Sequence, residues 1–297
     1  YLSASTGAKM FWIRNDQNHR HFIRNISTLR ANWNPNQQWS FGAIFQYTPS
    51  IPSLSSLTDY PQQLTPYLLS NGNPDLKVSE NFMYRVSSTF QSPKATVSLY
   101  VTYNDLHNAM ISDVTYMGDH KFLQRTVNAA TGRQLFTNLQ VKVGSFAGFG
   151  ANGSLGFDYN YFSFAGWSHH LTSLYGTLSV WWNKGPFTLQ YYRVFPSKSL
   201  WGYRESKAEN LDMLAAQYQP NQHWAFGLEW MCPFSSKGLK YPSISYSPVN
   251  PSTRERYIKN QANMLSVSVV YTADFGSIFR SASRSLNNSD NASSLMQ

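Results

Sequence analysis

The sequence predicts an all-β fold: an antiparallel transmembrane β-barrel with about twelve strands present. Three observations carry this prediction. Long segments alternate strictly between apolar and polar side chains. Aromatic residues make up 16% of the chain while charged residues make up only 13%, well below the roughly one quarter usual in soluble domains. The breaks between the alternating segments are mostly short and long by turns.

The alternation is clearest in four places. Leu155, Phe157, Tyr159 and Tyr161 interleave with Ser154, Gly156, Asp158 and Asn160. Val97, Leu99, Val101 and Tyr103 interleave with Ser98, Tyr100, Thr102 and Asn104. Trp224, Phe226, Leu228 and Trp230 enclose Ala225, Gly227 and Glu229, and Leu265, Val267, Val269 and Tyr271 enclose Ser266, Ser268 and Val270. A period of two gives strands with one greasy face and one polar or small face. Twelve segments read this way: 1–9, 22–33, 39–48, 78–91, 95–107, 132–144, 150–163, 171–183, 186–195, 209–219, 222–231 and 260–273. Most exceed the roughly five to six residues of a soluble strand and suit the roughly nine to eleven of a tilted membrane strand.

Mean hydropathy is −0.40, and no run of about 18 apolar residues exists to make a membrane helix. A barrel reconciles this value with a membrane, because outward apolar residues average against inward polar ones.

Short turns fall at 34–38, 92–94, 145–148, 184–185 and 220–221, and longer stretches at 10–21, 49–77, 108–131, 196–208 and 232–259. Segment 164–170 is a short exception on the long-loop side. In outer-membrane barrels the short turns are periplasmic. Trp33, Trp39, Phe90, Trp181, Trp182, Phe187, Tyr218 and Trp224 flank the short turns, and Tyr47, Tyr103, Tyr161 and Trp230 lie toward the other end. Amphipathic rings favour the membrane–water boundary. Trp39 and Tyr47 are separated by about 27 Å of strand, or about 20 Å of height when tilted, close to an apolar band of about 25 Å.

The most specific string is Asn71-Gly72-Asn73-Pro74-Asp75-Leu76-Lys77, which closes a long loop and leads into a strand. It resembles the G-N-P-x-L-K/R string of the TonB-dependent receptor barrels, in the branch of outer-membrane β-barrel family proteins. The resemblance in layout runs from about residue 21 to residue 276, while Asn71, Gly72, Asn73, Pro74, Leu76 and Lys77 carry its specificity. Val78 and Ser79 depart from the family's Pro and Glu, and Glu80 comes one residue late. As a hinge, Gly72 permits a positive φ, Pro74 fixes its own φ, and Asn73 is pushed extended.

The resemblance implies an incomplete part of a 22-stranded barrel, with residues 1–276 as its C-terminal portion. It implies an outer-membrane receptor for energy-coupled uptake of a bulky nutrient. It also implies upstream strands, a plug domain and a signal peptide outside this sequence, and an energy-relay partner that touches the missing N-terminal part. The expected partners are therefore outer-membrane lipid, those upstream parts, the energy-relay protein and an unidentified nutrient. Residues 277–297, rich in Ser and Asn, read as a polar periplasmic tail.

Alternation places Arg85, Gln140, Asp158, Gln190 and Glu229 on the inward face as candidate lumen-lining residues. No catalytic motif accompanies them, no cofactor is indicated, and an enzyme is not expected. His19-Arg20-His21 and His169-His170 lack the converging ligands a metal needs, and neighbours on a strand point to opposite faces. The single Cys232 precludes an internal disulfide.

The net charge of +9 comes from scattered residues such as Arg14, Arg20, Lys121, Lys198, Arg204, Lys207, Lys237, Lys240, Arg254 and Arg256. They follow no nucleic-acid-binding pattern, and most read as solvated loop cations. Two other readings stay open: an independent twelve-stranded outer-membrane pore or secretion barrel, and a soluble all-β binding protein.

Overall fold

The computed structural model describes residues 1–14, 19–128, 131–235, 238–259 and 262–273. In chain order the strands are β1 Leu2–Arg14, β2 His19–Trp33, β3 Trp39–Ser50, β4 Gln62–Thr65, β5 Leu68–Asn71, β6 Ser79–Gln91 and β7 Ala95–His107. There follow β8 Met110–Gly118, β9 Lys121–Asn128, β10 Thr131–Phe146, β11 Phe149–Phe164, β12 Trp167–Lys184 and β13 Phe187–Phe195. The last are β14 Lys198–Trp201, β15 Arg204–Lys207, β16 Leu211–Tyr218, β17 Trp224–Met231, β18 Leu239–Ser245, β19 Ser252–Ile258 and β20 Met264–Tyr271. A short helix, α1 Leu54–Leu57, is capped by the Ser53 side chain.

Twelve strands form one sheet in the order β1-β2-β3-β6-β7-β10-β11-β12-β13-β16-β17-β20. Each of the twelve expected segments coincides with one of them, and all neighbours are antiparallel. Among the described residues the sheet is open: β1 and β20 stand at its edges, and each has one neighbour in it. The expected tail at 277–297 lies outside the described residues.

The register makes the sheet two-faced. Leu155 pairs with Leu139 and that with Leu99, and Leu228 pairs with Ala216 and Val267, so apolar residues run in rows across strands. The residues expected to share a face do so. Leu155, Phe157, Phe226, Leu228, Val267 and Val269 are all exposed, Val267 by 73%. A soluble sandwich would bury these rows between two sheets, so this exposure fits a face that meets lipid.

The aromatic girdles lie on the same face. At the short-turn end Trp39 lies 5.0 Å from Phe90 and Phe187 lies 4.8 Å from Tyr218, centroid to centroid. Toward the long-loop end Tyr47 lies 4.9 Å from Phe82, and Tyr84 lies 6.3 Å from Tyr103. Trp181 is a correction. It pairs with Gly150 and Gln190 on the polar face, while its neighbour Trp182 meets Phe149 on the apolar face. Side chains alternate, so two adjacent tryptophans cannot both join one girdle.

The long connections also differ from expectation. They hold two further four-stranded sheets, β4-β5-β9-β8 and β14-β15-β18-β19. Stretch 10–21 is mostly strand, because β1 and β2 pair as far as Arg14 and His19. The exception at 164–170 narrows to a two-residue turn. Ala165 and Gly166 both take positive φ, 48° and 81°, as a turn matched to strand twist requires. His169 and His170 therefore sit within β12.

The two faces predict opposite outcomes for neighbouring substitutions. Phe157→Arg would place a cation among lipid chains at a cost of roughly 2–4 kcal/mol. Heat-modifiable gel mobility of outer-membrane fractions should show its folded band strongly reduced, with Asp158→Asn folding as wild type. Equal folding of the two variants would contradict the assignment of faces.

Candidate functional site

The polar face carries its side chains in rows set by the register. Arg85, Thr102, Phe136, Asp158 and Ser173 are successive cross-strand partners. Thr89, Ser98, Gln140, Ser154 and Thr177 form a second row. Gln190, Ala215, Glu229 and Ser266 form a third. All five candidate residues thus stand on one face.

They do not converge into a single centre. Arg85 donates from Nε to Thr102 Oγ1 at 3.0 Å, and Gln190 donates to Ser179 Oγ at 3.3 Å. Arg85 and Asp158 are three strand spacings apart, about 14 Å, too far for an ion pair. The arrangement is a polar wall. The Thr89–Ser98 and Ser154–Thr177 hydroxyls, 3.0 and 2.8 Å apart, and the Gln134–Asn160 amides, 2.9 Å apart, make it a ladder of short polar contacts.

At the long-loop end the same face becomes apolar. Leu106, Ala109, Ile111, Val127, Phe162, Leu200 and Tyr203 form a buried cluster, with Phe164, Trp167 and Leu171 packed against it. Phe162 on the polar face of β11 lies 5.2 Å from the Trp201 ring, and Trp201 Nε1 donates to the Met110 carbonyl at 3.2 Å. Both loop sheets are therefore locked to each other and to the polar face.

A second lock is electrostatic. The Lys198 amide donates to Ser173 Oγ at 2.7 Å, and Lys198 Nζ lies 3.1 Å from Glu205 Oε1. The Tyr246 hydroxyl donates to Glu205 Oε2 at 2.6 Å, and the His169 ring stands 4.3 Å from the Tyr246 ring. Burial pushes the Glu205 carboxyl up. The bonds from Tyr246 and Lys198, with the charges of Lys198 and His169, offset this and hold it below the usual carboxylate range. Neither loop sheet was predicted from the sequence. Their strands are only four to nine residues long, and the usable signal was local, as in Leu200-Trp201-Gly202-Tyr203, with Gly202 at φ 57°.

The family string is built into this end. Asn73 N donates to the Ser56 carbonyl at 2.6 Å, and Asn73 Nδ2 donates to the Thr126 carbonyl at 3.0 Å. Asn73 Oδ1 accepts from Asp75 N at 3.1 Å, spanning Pro74. Lys77 N donates to Asn128 Oδ1 at 2.8 Å, and Asn128 Nδ2 returns a bond to the Lys77 carbonyl at 3.0 Å. Leu76 is buried, and Asn71 ends β5, which pairs in parallel with β9.

Gly72 is a correction: its φ is not positive. Glycine is needed there because a Cβ would lie 2.1 Å from the Thr58 carbonyl oxygen.

His169 and His170 pair with Phe162 and Tyr161 and so face opposite sides of the sheet. Among the described residues no group of three or more His, Cys, Asp or Glu could hold a metal ion. The side chains of His19 and Arg20 lie outside the described residues.

Two outcomes follow at this end. Gly72→Ala forces a backbone shift at Thr58 that costs about 1–3 kcal/mol. Limited proteolysis should cut within 51–78 several times faster while the heat-modifiable band persists. An unchanged cleavage rate would show that the loop yields. The lowered Glu205 pKa contributes stability above the unfolded carboxylate's range, and this is lost as pH falls through the folded value. Cleavage near 198–207 should therefore speed up on acidification, and Glu205→Gln should remove that dependence.

Comparison with known proteins accords with this architecture. Residues 11–201 match the model of the outer membrane protein β-barrel family. No curated protein matches the chain by sequence. Among solved structures, the copper transporter OprC aligns at TM-score 0.63 and 10% identity, covering 91% of this chain and 44% of its own. The FrpB iron transporter of Neisseria meningitidis aligns at 0.60 and 11%, covering 91% and 42%. The ferric enterobactin receptor of Pseudomonas aeruginosa, in complex with enterobactin, aligns at 0.56 and 13%, covering 79% and 38%. The chain thus spans about two fifths of the length of these structures. They share its fold, in keeping with the TonB-dependent receptor string at Asn71–Lys77. The chain belongs to the outer membrane protein β-barrel family and is a β-barrel protein of the bacterial outer membrane.

Proposed function

We propose that the chain forms part of a receptor barrel that takes up a bulky nutrient with energy relayed from the inner membrane. One observation carries this reading. Both loop sheets fold onto the polar face of the large sheet, through Phe162, Trp201 and the bond from the Lys198 amide to Ser173. A polar wall narrowed at one end by folded loops suits selective capture and passage, while the apolar face meets lipid.

In this reading Arg85, Gln140, Asp158, Gln190 and Glu229 line the passage. The loop sheets face the outside, and the short turns and residues 277–297 face the periplasm. β1 and β20 pair with further strands of a 22-stranded barrel around a plug, which an open sheet permits and a lipid environment demands. The energy-relay protein would touch that plug and not these strands. The protein works by binding and conduction and is not an enzyme, in line with the receptors and transporters it resembles in fold.

Planar bilayers and cells together test the reading. The whole protein reconstituted in bilayers should show no steady ion conductance, because a plug fills the barrel. Cells lacking the gene should lose uptake of at least one source in a panel of ferric chelates, cobalamin and oligosaccharides. In wild-type cells a protonophore should abolish that same uptake. Steady conductance by the 297-residue chain alone would instead establish an independent twelve-stranded pore and overturn the receptor reading.

A further inference from the structure

Beside the family string, the β4-β5-β9-β8 sheet and α1 enclose a cavity of about 530 Å³. This is within the size range of small-ligand sites. Its wall includes Ser56, Thr58, Ser70, Asn71, Ser112 and Gln124. These are hydroxyls and amides, groups that both donate and accept hydrogen bonds. Among the described residues no carboxylate and no lysine lines it, and Arg125 is the one cation in its wall. Tyr60, 67% exposed, stands at the wall with its ring open to contact.

The wall is preorganised. Gln124 Nε2 donates to Ser112 Oγ at 2.9 Å, and Asn71 Nδ2 donates to Asp59 Oδ1 at 2.5 Å. These bonds fix which amide atoms remain for a ligand. Asn71 Oδ1 is left buried with no hydrogen-bond partner. The approach of Gly72 to Thr58, with its 2.1 Å limit on a Cβ, and the Asn73 bonds to Ser56 and Thr126 hold the walls together. The string thus acts as the brace of the cavity.

The chemistry selects a ligand class. A multiply charged anion would find a single guanidinium. A cation would find Arg125, and the neighbouring carboxylate, Asp59, is already bonded to Asn71. An apolar ligand would leave the hydroxyls and amides unpaired at a cost. A hydroxyl-rich neutral molecule can exchange bonds with the Ser and Thr hydroxyls and the Gln124 amide, and lay a ring face on Tyr60.

We propose that this cavity is a binding site for a neutral, saccharide-like ligand on the outer loops. The proposal rests on the receptor reading only in placing this end outside the cell. Binding is measurable without transport, so the two can fail separately.

Saturation-transfer NMR on the whole protein in detergent provides the test. The probes are neutral di- and trisaccharides of glucose, galactose, mannose and N-acetylglucosamine, with digalacturonate and chitosan dimer as charged controls. Wild type should transfer saturation to at least one neutral sugar and to neither control. Gln124→Ala, which removes one amide, should weaken that binding roughly fivefold, the scale of one hydrogen bond.

Absence of transfer to every neutral sugar would overturn the proposal. So would preferential binding of digalacturonate that is lost in Arg125→Gln. Full retention of affinity in a folded Gln124→Ala would place the sugar elsewhere and overturn this site. Should Gln124→Ala fail to show a heat-modifiable band, Ser70→Ala takes its place with the same expectation.

Discussion

Backbone amides in hydrocarbon have no water to bond, so each strand must satisfy its polar groups on its neighbours. The rest of this structure depends on that constraint. It demands an unbroken antiparallel ladder, and among the described residues the large sheet supplies one from β1 to β20, with a bulge-type irregularity near the Ala147-Gly148 turn. The ladder then fixes the pleat, and the pleat sorts the side chains. Leu155, Leu139 and Leu99 come into line on one face, while Ser154, Gln140 and Ser98 come into line on the other. The exposure of so many large apolar residues is a consequence of the same rule. The buried side-chain cluster lies at the loop end and not within the wall of the sheet.

Much of this was legible in the sequence because a period of two needs no tertiary knowledge. The twelve strands and the face of each candidate residue follow from alternation at places such as Leu155–Tyr161 and Trp224–Trp230. Pairs of adjacent aromatics blurred the reading. Trp181 and Trp182 both flank a short turn, yet the pleat sends Trp181 to the polar side against Gly150. Gly72 was legible as a required glycine, but for the wrong reason. Its need arises from the Thr58 backbone fourteen residues earlier, a contact that local conformation cannot announce.

The loop sheets were not legible. Their strands are short, β5 pairs in parallel with β9 between residues 54 positions apart, and β15 pairs with β18 across the whole of β16 and β17. Such distant pairings leave no local period. What the sequence did hold was the apolar end of otherwise polar faces: Leu106, Phe162, Phe164 and Leu171 stand at inward positions where a solvated wall would carry polar groups. That break in the pattern marks where a loop must fold back. The candidate residues of the wall are likewise explained as a surface and not as a centre, since Arg85 and Asp158 share a row without touching.

The central claim is that one face of the twelve-stranded sheet meets lipid and the other does not. Single cysteines placed in a Cys232→Ser background at each position from 154 to 160, labelled with a fluorophore in the whole protein in bilayers, test it most directly. Quenching by a lipid-borne nitroxide should peak at 155, 157 and 159, and quenching by aqueous iodide should be no lower at 154, 156, 158 and 160 than at those three. Uniform quenching along the strand, or the opposite alternation, would contradict the account.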